Sequence, residues 1–333
     1  MRMGRCRTLL VVLSLPVTAL GSGCAGETSS QERTLFRRTS LVRPGSSRDF
    51  ENHYRSTLRL FVAEKAAQEQ GSSGECSGVL IAPRVVLTAG HCVCIVRKLS
   101  VSEREALGKE AIAGMERRGE VVSRAESLRG QRLDTVLDSA RCASSAKVRT
   151  IIYEPRVPGG AEGSRQVTYS GSVRPHPRLE LLYDDEGSVV WSSADLAVIH
   201  LDMPVKDIPV VERTTAEARV GEPIVMAGYG PGEPLGLAGE RHSGENQVSW
   251  LRKLDSGSVE FVVARQRMPT GQVAAHLDAG DSGGGCWRMG SDGNGVLIGI
   301  AGGNAKNGRG ESLSVFTSIH SHEEWLSQQL AEP

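Results

Sequence analysis

Ser77-Gly78-Val79-Leu80-Ile81-Ala82-Pro83-Arg84-Val85-Val86-Leu87-Thr88-Ala89-Gly90-His91-Cys92 reads as a β-hairpin that runs straight into a histidine. Two short aliphatic runs flank the turn signal Ala82-Pro83-Arg84, and β-branched residues favour the pleated state over a helix. The same rhythm recurs in both directions. Leu58-Arg59-Leu60-Phe61-Val62 alternates, and Val148–Tyr153, Gln166–Val173, Leu196–Leu201, Pro223–Ala227, Val259–Ala264, Val296–Ile300 and Leu313–Ile319 are short runs of the same style. Clusters such as Pro158-Gly159-Gly160 and Gly230-Pro231-Gly232 separate them. With 39 glycines in 333 residues, the chain has turns in abundance, and the pattern predicts an all-β protein built of antiparallel barrels or a sandwich.

Lys+Arg and Asp+Glu both number 39, so the formal net charge is zero. No broad basic field is available to hold a nucleic acid backbone, and no nucleic acid partner is expected. At 39% hydrophobic and 23% charged residues, the composition is that of a soluble globular chain rather than a disordered one.

The start of the chain reads as an export signal over residues 1–25. Arg2, Arg5 and Arg7 precede an apolar stretch from Thr8 to Leu20, and the small residues Gly21-Ser22-Gly23-Cys24-Ala25 follow. That stretch is short for a membrane span and suits a peptidase. Cys24 stands where a lipid-anchored protein carries its acylated cysteine, although Leu20 lies one place upstream of the expected aliphatic position. The expectation is an exported chain, secreted or anchored to the cell envelope by a lipid on Cys24. Residues 26–57 are Ser/Arg-rich and polar and are read as a tether or pro-segment, with one globular domain over 58–333. Cys6 and Cys24 belong to the leader region; Cys76, Cys92, Cys94, Cys142 and Cys286 remain, an odd number in a disulfide-permitting compartment.

Two segments depart from the strand rhythm. Residues 99–146 form a charged insertion; from Glu103 to Arg132 it is dense in Glu, Arg and Lys, and a surface excursion is expected there. At the C-terminus Ser321 and Glu324 have capping-box spacing, and Trp325, Leu326 and Leu330 can share one face, so a helix is expected.

Three segments carry chemistry: Leu87-Thr88-Ala89-Gly90-His91-Cys92, Asp195-Leu196-Ala197-Val198-Ile199 and Ala279-Gly280-Asp281-Ser282-Gly283-Gly284-Gly285. They supply His, Asp and Ser in that order. A serine hydroxyl is a poor nucleophile at its own pKa; it needs an adjacent base, and the base needs an acceptor that fixes its tautomer. The glycine before the serine lets the backbone bend so that the Gly280 and Ser282 amides point at one spot, where an oxyanion can be held. Gly280-Asp281-Ser282-Gly283-Gly284 also satisfies the Gly-x-Ser-x-Gly elbow of α/β-hydrolases, with Asp292 and His320 or His322 following in order. An elbow serine opens a helix, however, and Gly283-Gly284-Gly285 opposes one. The remaining histidines, His53, His176, His200, His242, His276, His320 and His322, are read as surface or structural. None has convincing metal spacing, so no metal and no other cofactor is expected.

Across residues 58 to 330, these motifs resemble the trypsin/chymotrypsin family of serine endopeptidases. The resemblance implies two six-stranded antiparallel β-barrels, an active site in the cleft between them, and a C-terminal helix. It makes His91 the general base and acid, Asp195 its orienting partner and Ser282 the nucleophile. It matches Cys76 and Cys92 to the disulfide that staples the histidine loop; Cys94 and Cys142 then flank the insertion and are paired, and Cys286 is left over. Substrates are expected to be proteins or peptides, and the enzyme a monomer.

The sequence departs from the family pattern at three places. Upstream of His91 stands Arg48-Asp49-Phe50-Glu51-Asn52 and no Ile-Val-Gly-Gly, so Asp281 is expected to find an internal partner in place of a new amino terminus. His276 aligns with the base of the specificity pocket, and Gly302-Gly303-Asn304 replaces the usual Ser-Trp-Gly wall; Gly302 and Asn304 become pocket residues. A histidine at the base argues against Arg/Lys preference and for an acidic or polar P1 residue. Gly285-Cys286 replaces the usual proline, through either local packing or a disulfide to an unassigned partner. The alternatives to a serine endopeptidase are a non-catalytic protease-like binding module with a collapsed oxyanion loop and an esterase on the same scaffold.

Overall fold

The computed structural model describes residues 46–62, 75–113, 121–155, 163–230, 239–268, 271, 273–290, 295–306 and 311–332. The leader, Cys24, the first part of the tether, Pro158-Gly159-Gly160 and Asp292 lie outside them.

Six strands close into an antiparallel barrel, and all six come from runs that the sequence marks as strands. In barrel order they are Ala197–Leu201, Val85–Thr88, Glu75–Ala82, Thr57–Phe61, Ser145–Tyr153 and Ser164–Pro175, the last pairing back to the first. The core is aliphatic: Leu58, Leu60, Val79, Leu80, Val86, Leu87, Val148 and Ile199 are fully buried. Each such side chain contributes roughly 1.5–3 kcal/mol on burial.

The second half is one larger sheet. Its path runs Ser46–Arg48, His242–Gln247, Pro223–Gly228, Gly285–Met289, Gly295–Lys306, Ser312–Ser318, Val259–Ala264, Trp250–Leu254 and Val121–Val122; Glu212–Arg213 adds to Gly295–Lys306 in parallel. Of the two six-stranded barrels expected, the first is present as a closed barrel; among the described residues no strand ladder closes this second sheet. Side chains span the gap instead. Asn246 Nδ2 donates to the Ala264 carbonyl at 3.2 Å, and Gln266 Nε2 donates to Asn246 Oδ1 at 2.7 Å. A single apolar cluster joins the halves, with Ala227, Trp287, Leu297 and Ile300 packed with the barrel core.

Three further expectations change. Ser46–Arg48, placed in the tether by composition, pairs with His242–Gly244 as an edge strand of the larger sheet. The charged insertion is not merely a surface excursion. Its helix Val101–Ala113 and short helix Arg124–Leu128 cover a four-stranded sheet made of Arg97–Lys98, Leu133–Asp138, Glu180–Asp184 and Val189–Ser193. Leu99, Leu107, Leu128, Val136, Leu182 and Trp191 form a separate small core there. Its charges sit on the outside, so composition hides its apolar face.

The C-terminal helix is present over Glu323–Ala331, preceded by a 3-10 turn at His320–His322. Its capping box is absent. Ser321 Oγ donates to the Ser318 carbonyl and accepts from the Val259 amide, and His322 takes the N-cap position with no side-chain cap bond.

Candidate active site

The barrel ladder sets His91 beside Asp195. Strand Val85–Thr88 leads into the histidine and strand Ala197–Leu201 follows the aspartate, and the two pair with Ala197 opposite Thr88. Past Thr88 the chain makes one helical turn at Gly90–Val93, tied by the Cys94 amide to the Gly90 carbonyl at 3.1 Å. A disulfide from Cys92 to Cys76 on the adjacent strand pins this turn. Closing a loop with a separation of 16 residues contributes about 3 kcal/mol in the chain-entropy account. Leu179 fills the space next to Gly90 at 2.6 Å from where a Cβ would stand. On the other side Ala194 adopts φ 46°, a left-handed conformation uncommon for a residue with a Cβ, which turns Asp195 inward.

Asp195 is 2% exposed and grips His91 twice. Its Oδ1 accepts the His91 amide at 2.8 Å, and its Oδ2 lies 2.7 Å from His91 Nδ1. That geometry fixes the tautomer with the proton on Nδ1 and turns Nε2, a proton acceptor, outward. Gly302 lies over the carboxylate, its Cβ position 3.5 Å from Oδ2. Glu260, a second buried carboxyl near Asp195, was not apparent from the sequence. Burial pushes its pKa up, countered in part by Arg252 at 3.1 Å.

Ser282 reaches this place through backbone contacts. Its carbonyl accepts the Ser77 amide at 2.7 Å. The next residue, Gly283, has φ 80° and no room for a side chain: a Cβ would stand 2.1 Å from the Ser77 carbonyl oxygen and 2.2 Å from Thr88 Oγ1. The chain after Ser282 enters the strand Gly285–Met289 and not a helix, so the α/β-hydrolase elbow is excluded.

Around Ser282 the amides fall into two classes. Asp278 donates to Asp281 Oδ2, Ala279 to Asp278 Oδ1, Asp281 to the Asp278 carbonyl, Gly283 to Ala301 and Gly284 to Asp281. Among the described residues the Gly280 and Ser282 amides donate to no protein acceptor. The Asp281 carboxylate is 2% exposed and accepts the Gly230 amide at 2.9 Å and the Asp278 amide at 2.8 Å, so it has internal partners as expected.

His276 is buried and lines a water-sized space with Ser46, Gly228, His242 and Asp281. Gly302 and Asn304 lie outside it; Asn304 Nδ2 donates to the Leu277 carbonyl at 3.1 Å, which bridges the two segments.

Cys94 and Cys142 are bonded at the base of the insertion, and Cys286 is a free, fully buried thiol whose pKa burial raises. A disulfide from Cys286 is thereby removed from the open alternatives. Among the described residues, one group of potential metal ligands lies within 4.8 Å of one another, Cys76, Cys92 and His91. Its two sulfurs are bonded to each other and offer no thiolate. Of the other histidines, His176 and His322 form a buried pair at 3.2 Å behind the site.

A family model for a trypsin-like peptidase domain matches residues 76–300. No curated protein matches the chain.

Proposed function

The chain belongs to the trypsin-like peptidase family, and from that membership we propose that it is an exported serine endopeptidase working through an acyl-enzyme. The family match covers all three motif segments and makes protein or peptide the substrate class. The observation that carries the finer reading is the doubly held His91–Asp195 pair, set just beyond the paired ends of two adjacent barrel strands, with Ser282 held by the strand that is disulfide-bonded to the histidine turn.

In this reading Ser282 Oγ attacks the scissile carbonyl carbon while His91 Nε2 takes its proton. The carbonyl π bond opens, and the electron pair goes to the oxygen. The Gly280 and Ser282 amides, which have no protein acceptor among the described residues, hold that oxyanion. The C–N bond then breaks, His91 gives the proton to the leaving amine, and an ester on Ser282 remains. Water repeats the cycle with His91 as base and releases the acid. Asp195 stays ionised and stabilises the imidazolium.

Export accords with two disulfides, which persist in oxidising compartments. On the substrate side, a buried His276 in place of a carboxylate disfavours Arg or Lys at P1 and leaves an acidic or polar residue as the proposed preference.

A fluorophosphonate probe tests the reading. Labelling of Ser282, lost in Ser282→Ala, is the expected result; an intact, folded chain that takes no label overturns it. Peptide against ester turnover separates the endopeptidase from an esterase.

A further inference from the structure

Ser77 touches the serine loop at two carbonyls. It sits on the strand Glu75–Ala82, next to Cys76, and is fully buried. Its amide donates to the Ser282 carbonyl at 2.7 Å, and its hydroxyl donates to the Gly280 carbonyl at 2.8 Å. The same hydroxyl oxygen accepts the Tyr229 amide at 3.0 Å, and the Ser77 carbonyl accepts Thr88 Oγ1 at 2.7 Å. One residue thus binds the loop, the Tyr229–Gly230 segment that also holds Asp281, and the strand leading to His91.

The two carbonyls that Ser77 holds belong to Gly280 and Ser282, whose amides donate to no protein acceptor among the described residues. Each of those amides is one Cα away from a held carbonyl. Gly280 has φ 92°, a conformation open to glycine, and its neighbouring peptides rotate easily unless something restrains them. Gripping the carbonyl end of Gly280 and of Ser282 limits that rotation and keeps the two N–H vectors converged. Without the hydroxyl, the Gly280 C=O and the buried Tyr229 N–H both lose their partner, and a peptide flip becomes the cheapest way to recover one.

We propose that Ser77 is a positioning residue for the oxyanion site: its hydroxyl locks the Gly280 carbonyl so that the Gly280 and Ser282 amides stay aimed at one point. This rests on the serine-peptidase reading above. Ser77 touches no reacting atom; it acts through the loop.

The test uses the full chain, with p-nitrophenyl acetate acylation and fluorophosphonate inactivation as probes. Loss of a whole oxyanion donor costs about 10²–10³ in kcat, so a loosened one predicts a drop of about 10- to 100-fold in the Ser77→Ala acylation rate with KM within about twofold. Fluorophosphonate inactivation slows by the same factor, and Ser77→Thr, which keeps the hydroxyl, recovers most of both. A merely structural serine lowers the melting temperature without this split between kcat and KM. If Ser77→Ala does not fold, Ser77→Cys, nearly the same size with a weak donor, shows the same direction. A folded Ser77→Ala or Ser77→Cys that acylates at the wild-type rate overturns the proposal while the wild-type labelling leaves the peptidase reading standing. A wild-type chain that takes no label overturns both.

Discussion

Asp49 and Arg241 stand 192 residues apart and form a 2.7 Å ion pair with side-chain exposures of 2% and 0%. The guanidinium also donates to the Ile151 carbonyl, to Tyr229 Oη and to Asn52 Oδ1. The Asp49 carboxylate in turn accepts the His53 and Tyr54 amides. One buried cation therefore joins the segment after Ser46, the barrel and the loop that holds Asp281.

Removing one partner of such a pair leaves the other charged and unpaired out of water. Asp49→Ala is expected to cost about 3–5 kcal/mol of unfolding free energy, read from the urea midpoint at unchanged m-value. A cost below about 1 kcal/mol shows that the pair is not a staple.

Asp195→Asn tests the orienting role of that carboxylate. The amide presents an N–H where an acceptor is needed and stabilises the wrong imidazole tautomer. Turnover is expected to fall about 10⁴-fold with little change in melting temperature. Retention of a tenth of the activity contradicts the assignment.

Asp281 already accepts two backbone amides with the Ser46–Arg48 strand in place. Activity is thus expected without cleavage ahead of that strand. Active-site titration of uncut chain measures this; a stoichiometry near zero that rises only after proteolysis refutes it.

His176 and His322 supply an acid sensitivity. Burial is the largest cause lowering both, to about 3 for His176 and about 4 for His322; His322 and then Arg178 add repulsion at His176, and Arg178 adds it at His322. His176 Nδ1 accepts the Arg178 amide at 3.1 Å, and the ring also packs on Trp325. Both histidines bind protons more readily when unfolded, so stability is full above about pH 6.5 and declines as pH falls toward 3–4. The slope is bounded by about 1.4 kcal/mol per pH unit for each proton taken up. Melting curves from pH 7 to pH 4 should show the decline, and His322→Gln should flatten it; identical slopes argue against the pair as its source.

The Cys94–Cys142 bond closes a loop with a separation of 48 residues at the foot of the insertion. Replacing both cysteines with alanine is expected to cost roughly 2–4 kcal/mol and to raise hydrogen exchange in Leu133–Asp138 before it does so in the barrel.

How much could be read from residues alone varies by element. The barrel strands announced themselves because their apolar side chains face a core and alternate or run together. His242–Gln247 did not: its inward positions are His242, Gly244 and Asn246, polar or absent side chains that only their partners make buriable. The insertion hid its core because Leu99, Leu107 and Leu128 are spread among charged residues and meet each other and Trp191, from outside the insertion, only after the chain folds.

His91, Asp195 and Ser282 could be proposed from the sequence because the chemistry proposed for them needs particular neighbours, and those neighbours are close in sequence: glycines for tight backbone, a cysteine for the staple. Which amides are left without an acceptor, which serine holds the loop, and where Asp281 finds its partners were settled only by tertiary structure. Hydrogen bonds between backbone groups and buried ion pairs carry no sequence signature, since every residue has the same amide and carbonyl. Their pairing is fixed by the register of strands that lie far apart along the chain.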